Sequence, residues 1–146
     1  MGAPRFNHVG LSVAADLLDE QGRKDILDFY GTVFGWTEHA ILTEDRKRLV
    51  MGVYRYDQFV FLIADDEPMQ APRLDHFGLG VETMDELDGF LANAKKFAEH
   101  DDRVDIIEKK VEDYGAIKLT SFYVKFLLPL MIEVQHYELV PQESPA

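Results

Sequence analysis

One phrase occurs twice in this chain, and a strand-like phrase repeated at matching places constrains the fold to a duplicated unit. His8-Val9-Gly10-Leu11-Ser12-Val13 returns as His76-Phe77-Gly78-Leu79-Gly80-Val81. Alternation puts Val9, Leu11 and Val13 on one side of an extended strand and His8, Gly10 and Ser12 on the other. Near the end, Met131-Ile132-Glu133-Val134 sets one acid inside an apolar strand. Two imidazoles and a carboxylate are donor types that suit a divalent transition metal.

Around the two copies the pattern of elements also repeats. Phe6–Val13 reads as a strand, followed by a polar, acidic insert over Ala14–Arg23. Ile26, Phe29, Tyr30, Val33 and Phe34 then recur at helical spacing up to Gly35. Strand candidates follow at Trp36–Leu42, Arg48–Tyr54 and Phe59–Ala64. A stretch with two prolines, residues 65–73, reads as a linker. The cycle restarts with a strand over Leu74–Val81 and a capping-box signal at Thr83-Met84-Asp85-Glu86. Leu87, Phe90, Leu91 and Ala94 form the stripe of the second helix, and three more strands are predicted over Asp105–Glu112, Ile117–Phe126 and Leu130–Tyr137. The expected fold is α+β: two tandem βαβββ modules, residues 6–64 and 74–137, in a single domain with a loose tail over 138–146.

Composition narrows the function classes. The chain of 146 residues is 47% hydrophobic and 12% aromatic, enough for a substantial core. Its 15 basic residues face 27 acidic ones, for a net charge of −12, so a phosphate backbone or anionic membrane would be repelled. There is no cysteine, which excludes disulfides, thiolate nucleophiles and cysteine-ligated metal sites. No apolar run approaches membrane-spanning length, and Met1-Gly2-Ala3-Pro4-Arg5-Phe6 lacks both a signal-peptide stretch and, with Phe6, the myristoylation pattern. The expectation is a soluble cytoplasmic protein that takes a small molecule rather than nucleic acid or membrane.

Four phrases together resemble the vicinal-oxygen-chelate superfamily, which includes glyoxalase I, bleomycin-resistance proteins, extradiol dioxygenases, methylmalonyl-CoA epimerase and fosfomycin-resistance thiol transferases. They are Phe6-Asn7-His8-Val9-Gly10-Leu11; Ile26-Leu27-Asp28-Phe29-Tyr30 with Phe34-Gly35-Trp36; Leu74-Asp75-His76-Phe77-Gly78-Leu79; and Ser121-Phe122-Tyr123 with Ile132-Glu133-Val134. The resemblance spans residues 6–137 and implies a curved mixed sheet around a central cavity. It also implies metal ligands from the first and last strands of each module. By position these fall on His8, Phe61, His76 and Glu133, and Phe61 cannot bind metal. The implied set is therefore His8, His76 and Glu133 around one divalent ion (Fe, Mn, Zn or Ni), an open three-ligand site of the facial-triad kind. Tyr123 matches a tyrosine that extradiol enzymes carry, but their acid–base histidine is missing from Gly115-Ala116-Ile117-Lys118-Leu119.

The resemblance implies a metal-dependent enzyme, of dioxygenase or thiol-transferase type, with Glu133 and Tyr123 as catalytic candidates. A metal-free binding protein of the bleomycin-resistance type is the alternative. An epimerase or lactoylglutathione-lyase-like isomerase, completed by water or Asp65, is a third reading. Each candidate also has a plain structural reading: His8 and His76 as backbone-bonded strand histidines, Glu133 paired with a lysine, Tyr123 as an ordinary half-buried aromatic. Gln135 shares the parity of Glu133, whereas His136 has the opposite parity, and His39 and His100 sit in polar surroundings. The turn Phe126-Leu127-Leu128-Pro129-Leu130 is apolar throughout. Such a turn must be covered, and the expected cover is the partner subunit of a homodimer or the cavity mouth.

Overall fold

The structure is a computed structural model that describes residues 2–145. Strand β1 (His8–Val13) leads through a single 3₁₀ turn, Ala15–Leu18, into helix α1 (Glu20–Phe34). Asp19 caps this helix by accepting from the Gly22 amide at 2.7 Å, and Gly35 ends it in the left-handed region at φ 75°. Strands β2 (Thr37–Glu38), β3 (Arg48–Gly52) and β4 (Phe59–Ala64) complete the first module. The second module repeats the order with β5 (His76–Val81), α2 (Met84–Ala98), β6 (Asp105–Asp113), β7 (Ile117–Lys125) and β8 (Met131–Leu139). Thr83 and Glu86 form the expected capping box at the start of α2.

Each module makes its own four-stranded mixed sheet, in the orders β1-β4-β3-β2 and β5-β8-β7-β6. First and last strands pair in parallel, and the remaining neighbours are antiparallel. The fold is thus α+β and built of tandem βαβββ modules. The registers are equivalent: His8 lies opposite Phe59 and Gly10 opposite Phe61, while His76 lies opposite Met131 and Gly78 opposite Glu133. Phe61 therefore occupies in the first module the position that Glu133 holds in the second.

The chain divides into two compact units. One contains residues up to Ala71 together with Phe126–Pro129; the other contains Pro72–Lys125 and the segment from Leu130 onward. In the first, Ile26, Phe29, Tyr30 and Val33 of α1 are buried with Leu11, Val13, Leu49, Met51, Val60 and Leu62. In the second, Leu87, Leu91 and Ala94 of α2 are buried with Phe122, Val124, Ile132 and Val134. These strand positions alternate with the polar ones that matter below.

The apolar turn after β7 has its cover within the chain, which corrects the expectation of a partner subunit or cavity mouth. Phe126 is fully buried and stacks on Phe29, with ring centroids 4.6 Å apart. The Tyr30 hydroxyl donates to the Phe126 carbonyl at 2.8 Å and accepts from the Phe126 amide at 3.3 Å. Leu128 is buried as well, so the turn needs no second copy to hide it.

Other boundaries also move. The predicted strand over Trp36–Leu42 shrinks to Thr37–Glu38, because Trp36 turns inward to stack on Tyr30 at 4.9 Å and Ala40–Leu42 forms a 3₁₀ turn. The insert over 14–23 is helical in part. Strand β8 runs on to Leu139, and the Val140 amide still donates to Ala116, so part of the predicted tail is paired. Among the described residues no helix is long and apolar enough to cross a membrane.

The two-way hydrogen bond between Tyr30 and Phe126 yields a stability prediction. Tyr30→Phe keeps the ring and leaves a buried carbonyl and amide without their hydroxyl partner, which should cost about 1–3 kcal/mol. Phe126→Ala should cost about 3–5 kcal/mol through the cavity it opens. Urea unfolding monitored by circular dichroism measures both, and a neutral Tyr30→Phe would remove this hydroxyl from the interactions that hold the turn.

Candidate metal and proton-transfer site

On the second sheet, strand alternation and register bring one set of polar side chains to one face. Glu133 lies opposite Gly78 on β5 and opposite Tyr123 on β7, and Gln135 lies opposite Gly80 and Ser121. The other face carries Phe122, Val124, Ile132 and Val134, which are buried. Gly80 has open space where a Cβ would stand, and at Gly78 such a Cβ would meet only the Glu133 carbonyl at 3.9 Å. The two glycines thus leave the ground beside Glu133 uncovered.

Glu133 is the buried charged side chain among the described residues, at 8% relative exposure. An unpaired carboxylate there would be costly, and three neighbours offset that cost. The Gln135 amide donates to Oε1 at 2.5 Å, Tyr123 stands directly opposite on β7, and His76 Nε2 lies 3.7 Å from Oε2. Tyr123 meets the His76 ring edge to face, centroids 5.1 Å apart. Ser121, 3% exposed, stands two residues before Tyr123 on the same face.

His76 is oriented by its other nitrogen. Nδ1 lies 2.9 Å from the Leu74 carbonyl, which can only accept, so Nδ1 carries the proton. Nε2 is then the nitrogen that faces Glu133. A neutral imidazole would point a lone pair at a carboxylate, an arrangement that calls for a proton or a cation between them. Two donors on a tetrahedral ion with bonds of about 2.1 Å lie about 3.4 Å apart, close to the 3.7 Å found here. As a pair, His76 and Glu133 fit a divalent ion.

His8 stands in the other compact unit. Its ring stacks on Phe59 at 4.7 Å with planes 9° apart, and its Nδ1 lies 2.7 Å from Asn7 Oδ1. Its Nε2 is the nitrogen left without a hydrogen-bond partner of this kind. Phe61 shares its strand face with Gly10, and Asp65 is exposed, its Oδ1 accepting from the Glu67 amide at 2.8 Å. Among the described residues no group of three or more His, Cys, Asp or Glu side chains is gathered to hold a metal ion. The structure therefore brings together His76, Glu133, Tyr123 and Gln135 of the sequence candidates. His136 pairs with Thr120 and Val81 on the opposite parity, as expected.

One contributor escaped the sequence reading. The Leu74 carbonyl that orients His76 is a backbone group and leaves no side-chain signature. Ser121 shares the strand parity of Tyr123, as its place in the sequence implies.

Burial first, and then the nearby Glu133 carboxylate, push the Tyr123 phenol up from 10.0 to about 12, while the Ser121 hydroxyl opposes the rise. A proton held more tightly in the folded state contributes stability that is fully present below pH 10.0 and is lost as pH climbs through about 12. Ultraviolet titration should accordingly show late-ionising phenols at Tyr123, at buried Tyr30 and at Tyr114, which is bonded to Glu112. Glu133→Gln should bring the Tyr123 phenol down and Ser121→Ala should push it further up. A Tyr123 titration unmoved by either substitution would contradict these causes.

Neither a sequence-family profile nor a curated protein sequence matches the chain, but solved structures do match over nearly its whole length. Lactoylglutathione lyase from Agrobacterium tumefaciens superposes with a TM-score of 0.63 at 15% identity, covering 93% of this chain and 96% of that one. A glyoxalase/bleomycin resistance protein/dioxygenase from Alicyclobacillus acidocaldarius gives 0.61 at 17% identity, over 94% and 95%. A genomically encoded fosfomycin resistance protein from Listeria monocytogenes gives 0.59 at 12% identity, over 92% and 94%. The tandem βαβββ modules, their strand order and these superpositions agree: the chain has the fold of the vicinal-oxygen-chelate superfamily, of glyoxalase, bleomycin-resistance and dioxygenase type.

Proposed function

We propose that the chain is a divalent-metal-dependent enzyme acting on a small oxygen-bearing molecule at the β5–β8–β7 face. The observation that carries this reading is the His76 Nε2–Glu133 Oε2 separation of 3.7 Å, with Nδ1 committed to the Leu74 carbonyl. Metal-ligating histidines are commonly fixed in this way through their second nitrogen. A bound divalent ion would supply Lewis acidity toward a substrate oxygen. His76 and Glu133 would hold it, and Gln135 would keep the carboxylate oriented. Tyr123, opposite Glu133 on β7, would hold or release a proton next to the substrate. Lactoylglutathione lyase among the structural neighbours supports an enzymatic reading of the fold, and nothing in that name fixes the reaction here.

One observation favours a second reading, metal-free binding of a small molecule. Gln135, Tyr123 and a protonated His76 would satisfy the Glu133 carboxylate without any metal. Equilibrium dialysis of tag-free protein against Mn(II), Fe(II), Ni(II) and Zn(II) separates the two. The enzyme reading expects stoichiometric uptake of at least one ion. It also expects a loss of affinity of 10-fold or more in His76→Ala and Glu133→Gln, and a loss on the order of 10–100-fold in Gln135→Ala. Absence of stoichiometric metal, with melting unchanged by EDTA, would rule out the enzyme reading as stated and leave the binding protein.

A further inference from the structure

The ion pairs of this acidic chain leave one cation unaccounted for. Among the described residues every lysine and arginine except Lys96 and Lys125 has a carboxylate within 4.0 Å. Lys96 is exposed in the last turn of α2, where the helix dipole favours a positive charge. Lys125 has no such reason. It is half-buried at the end of β7, two residues beyond Tyr123, and therefore on the same face as Tyr123 and Glu133.

The nearest acid does not engage it. Asp105 lies opposite Lys125 across the β6–β7 ladder and contributes a longer-range attraction. Both of its oxygens are already taken by the Arg73 guanidinium, at 2.9 and 2.7 Å. Arg73 and Asp105 thus form a closed bidentate pair, and the Lys125 ammonium is left with neither a hydrogen-bond partner nor a contact ion. In a chain with 27 acidic residues against 15 basic ones, that vacancy is the exception rather than the pattern.

Its place relative to the candidate site is set by the register. Met131 pairs with His76, and the β7–β8 ladder that joins Tyr123 to Glu133 continues toward Lys125 beside Met131. Lys125 and His76 are therefore about two strand spacings apart, about 9.6 Å at the backbone, and a long lysine stem spans much of that gap. We propose that Lys125 is an anion-binding residue of this site and that the substrate is a small molecule carrying a carboxylate or phosphoryl group. That group would sit on the Lys125 ammonium while a neighbouring substrate oxygen faces His76 and Glu133. The proposal deepens the reading of this face as the functional site and adds a charge requirement to it.

The test uses metal-free, EDTA-dialysed full-length protein and ¹H–¹⁵N NMR titration at constant ionic strength. The probes are acetate, inorganic phosphate, and neutral acetamide, with chloride as the ionic control. Acetate or phosphate should give saturable shifts of β7–β8 amides around Lys125 and Met131, and acetamide and chloride should not. Which of the two anions saturates first distinguishes a carboxylate from a phosphoryl substrate. Lys125→Gln should weaken the saturating anion at least 10-fold, Lys125→Arg should keep most of the binding, and Lys96→Gln should change nothing. Linear, non-saturating shifts for both anions would overturn the proposal, as would saturation that survives Lys125→Gln. Metal dialysis of the same Lys125→Gln protein keeps the two readings apart: retained metal uptake with lost anion binding upholds both. Anion binding retained in a Glu133→Gln protein that takes up no metal upholds this proposal independently of the metal.

Discussion

The parallel pairing of the first and last strand in each module is the constraint on which the rest depends. Two parallel neighbours cannot be joined by a tight turn, so a helix and an antiparallel hairpin must lie between them in sequence. That is the βαβββ order seen twice. The pairing also fixes which side chains share a face. His76 stands opposite Met131 and Gly78 opposite Glu133, so imidazole and carboxylate become diagonal neighbours, a relation that long side chains can bridge. A slip of one residue would send Glu133 to the α2 side and the buried Ile132 to the polar face.

That register makes the difference between the modules chemical rather than architectural. At equivalent positions one sheet carries Phe61 and the other Glu133. Phe61 asks only for contact, and the ring of Phe59 one position along the same face stacks on His8. Glu133 asks for donors, and Gln135, Tyr123 and Ser121 all stand on the same face of β7 and β8. An acid buried on a sheet face thus accounts for several polar residues around it. The cost of burying a carboxylate is large enough that these neighbours are part of the fold as well as of the site.

The duplication and most of the candidate site could be read from the sequence because both rest on period-two alternation. His8 and His76 stand out in the repeated phrase, the resemblance implies Glu133 and Tyr123, and Gln135 follows from its parity with Glu133; the structure gathers the four of these that lie in one module. What escaped depends on partners remote in the chain or on backbone groups. The apolar turn at Phe126 is covered by Tyr30, 96 residues away, and nothing local in either segment names the other. Trp36–Leu42 alternates well enough for a strand, yet packing of Trp36 on Tyr30 and Phe34 overrides that propensity and leaves Ile41 92% exposed. Leu127, at φ 61°, adopts a conformation that its side chain disfavours. Burial of Phe126 and Leu128 on either side is what holds it there.

Two contacts decide how Glu133 can change partners. Gln135 donates to Oε1, and Oε2 faces the His76 nitrogen whose protonation is not fixed by Leu74. A carboxylate has about four lone-pair positions. A proton or a cation can therefore occupy the space between His76 and Glu133 without displacing Gln135. Tyr123 stands opposite Glu133 on β7 and holds its proton more tightly than a free phenol, through burial first and then the nearby carboxylate. The exchangeable element of the site is thus the space beside His76, and the carboxylate with its amide partner is the fixed one.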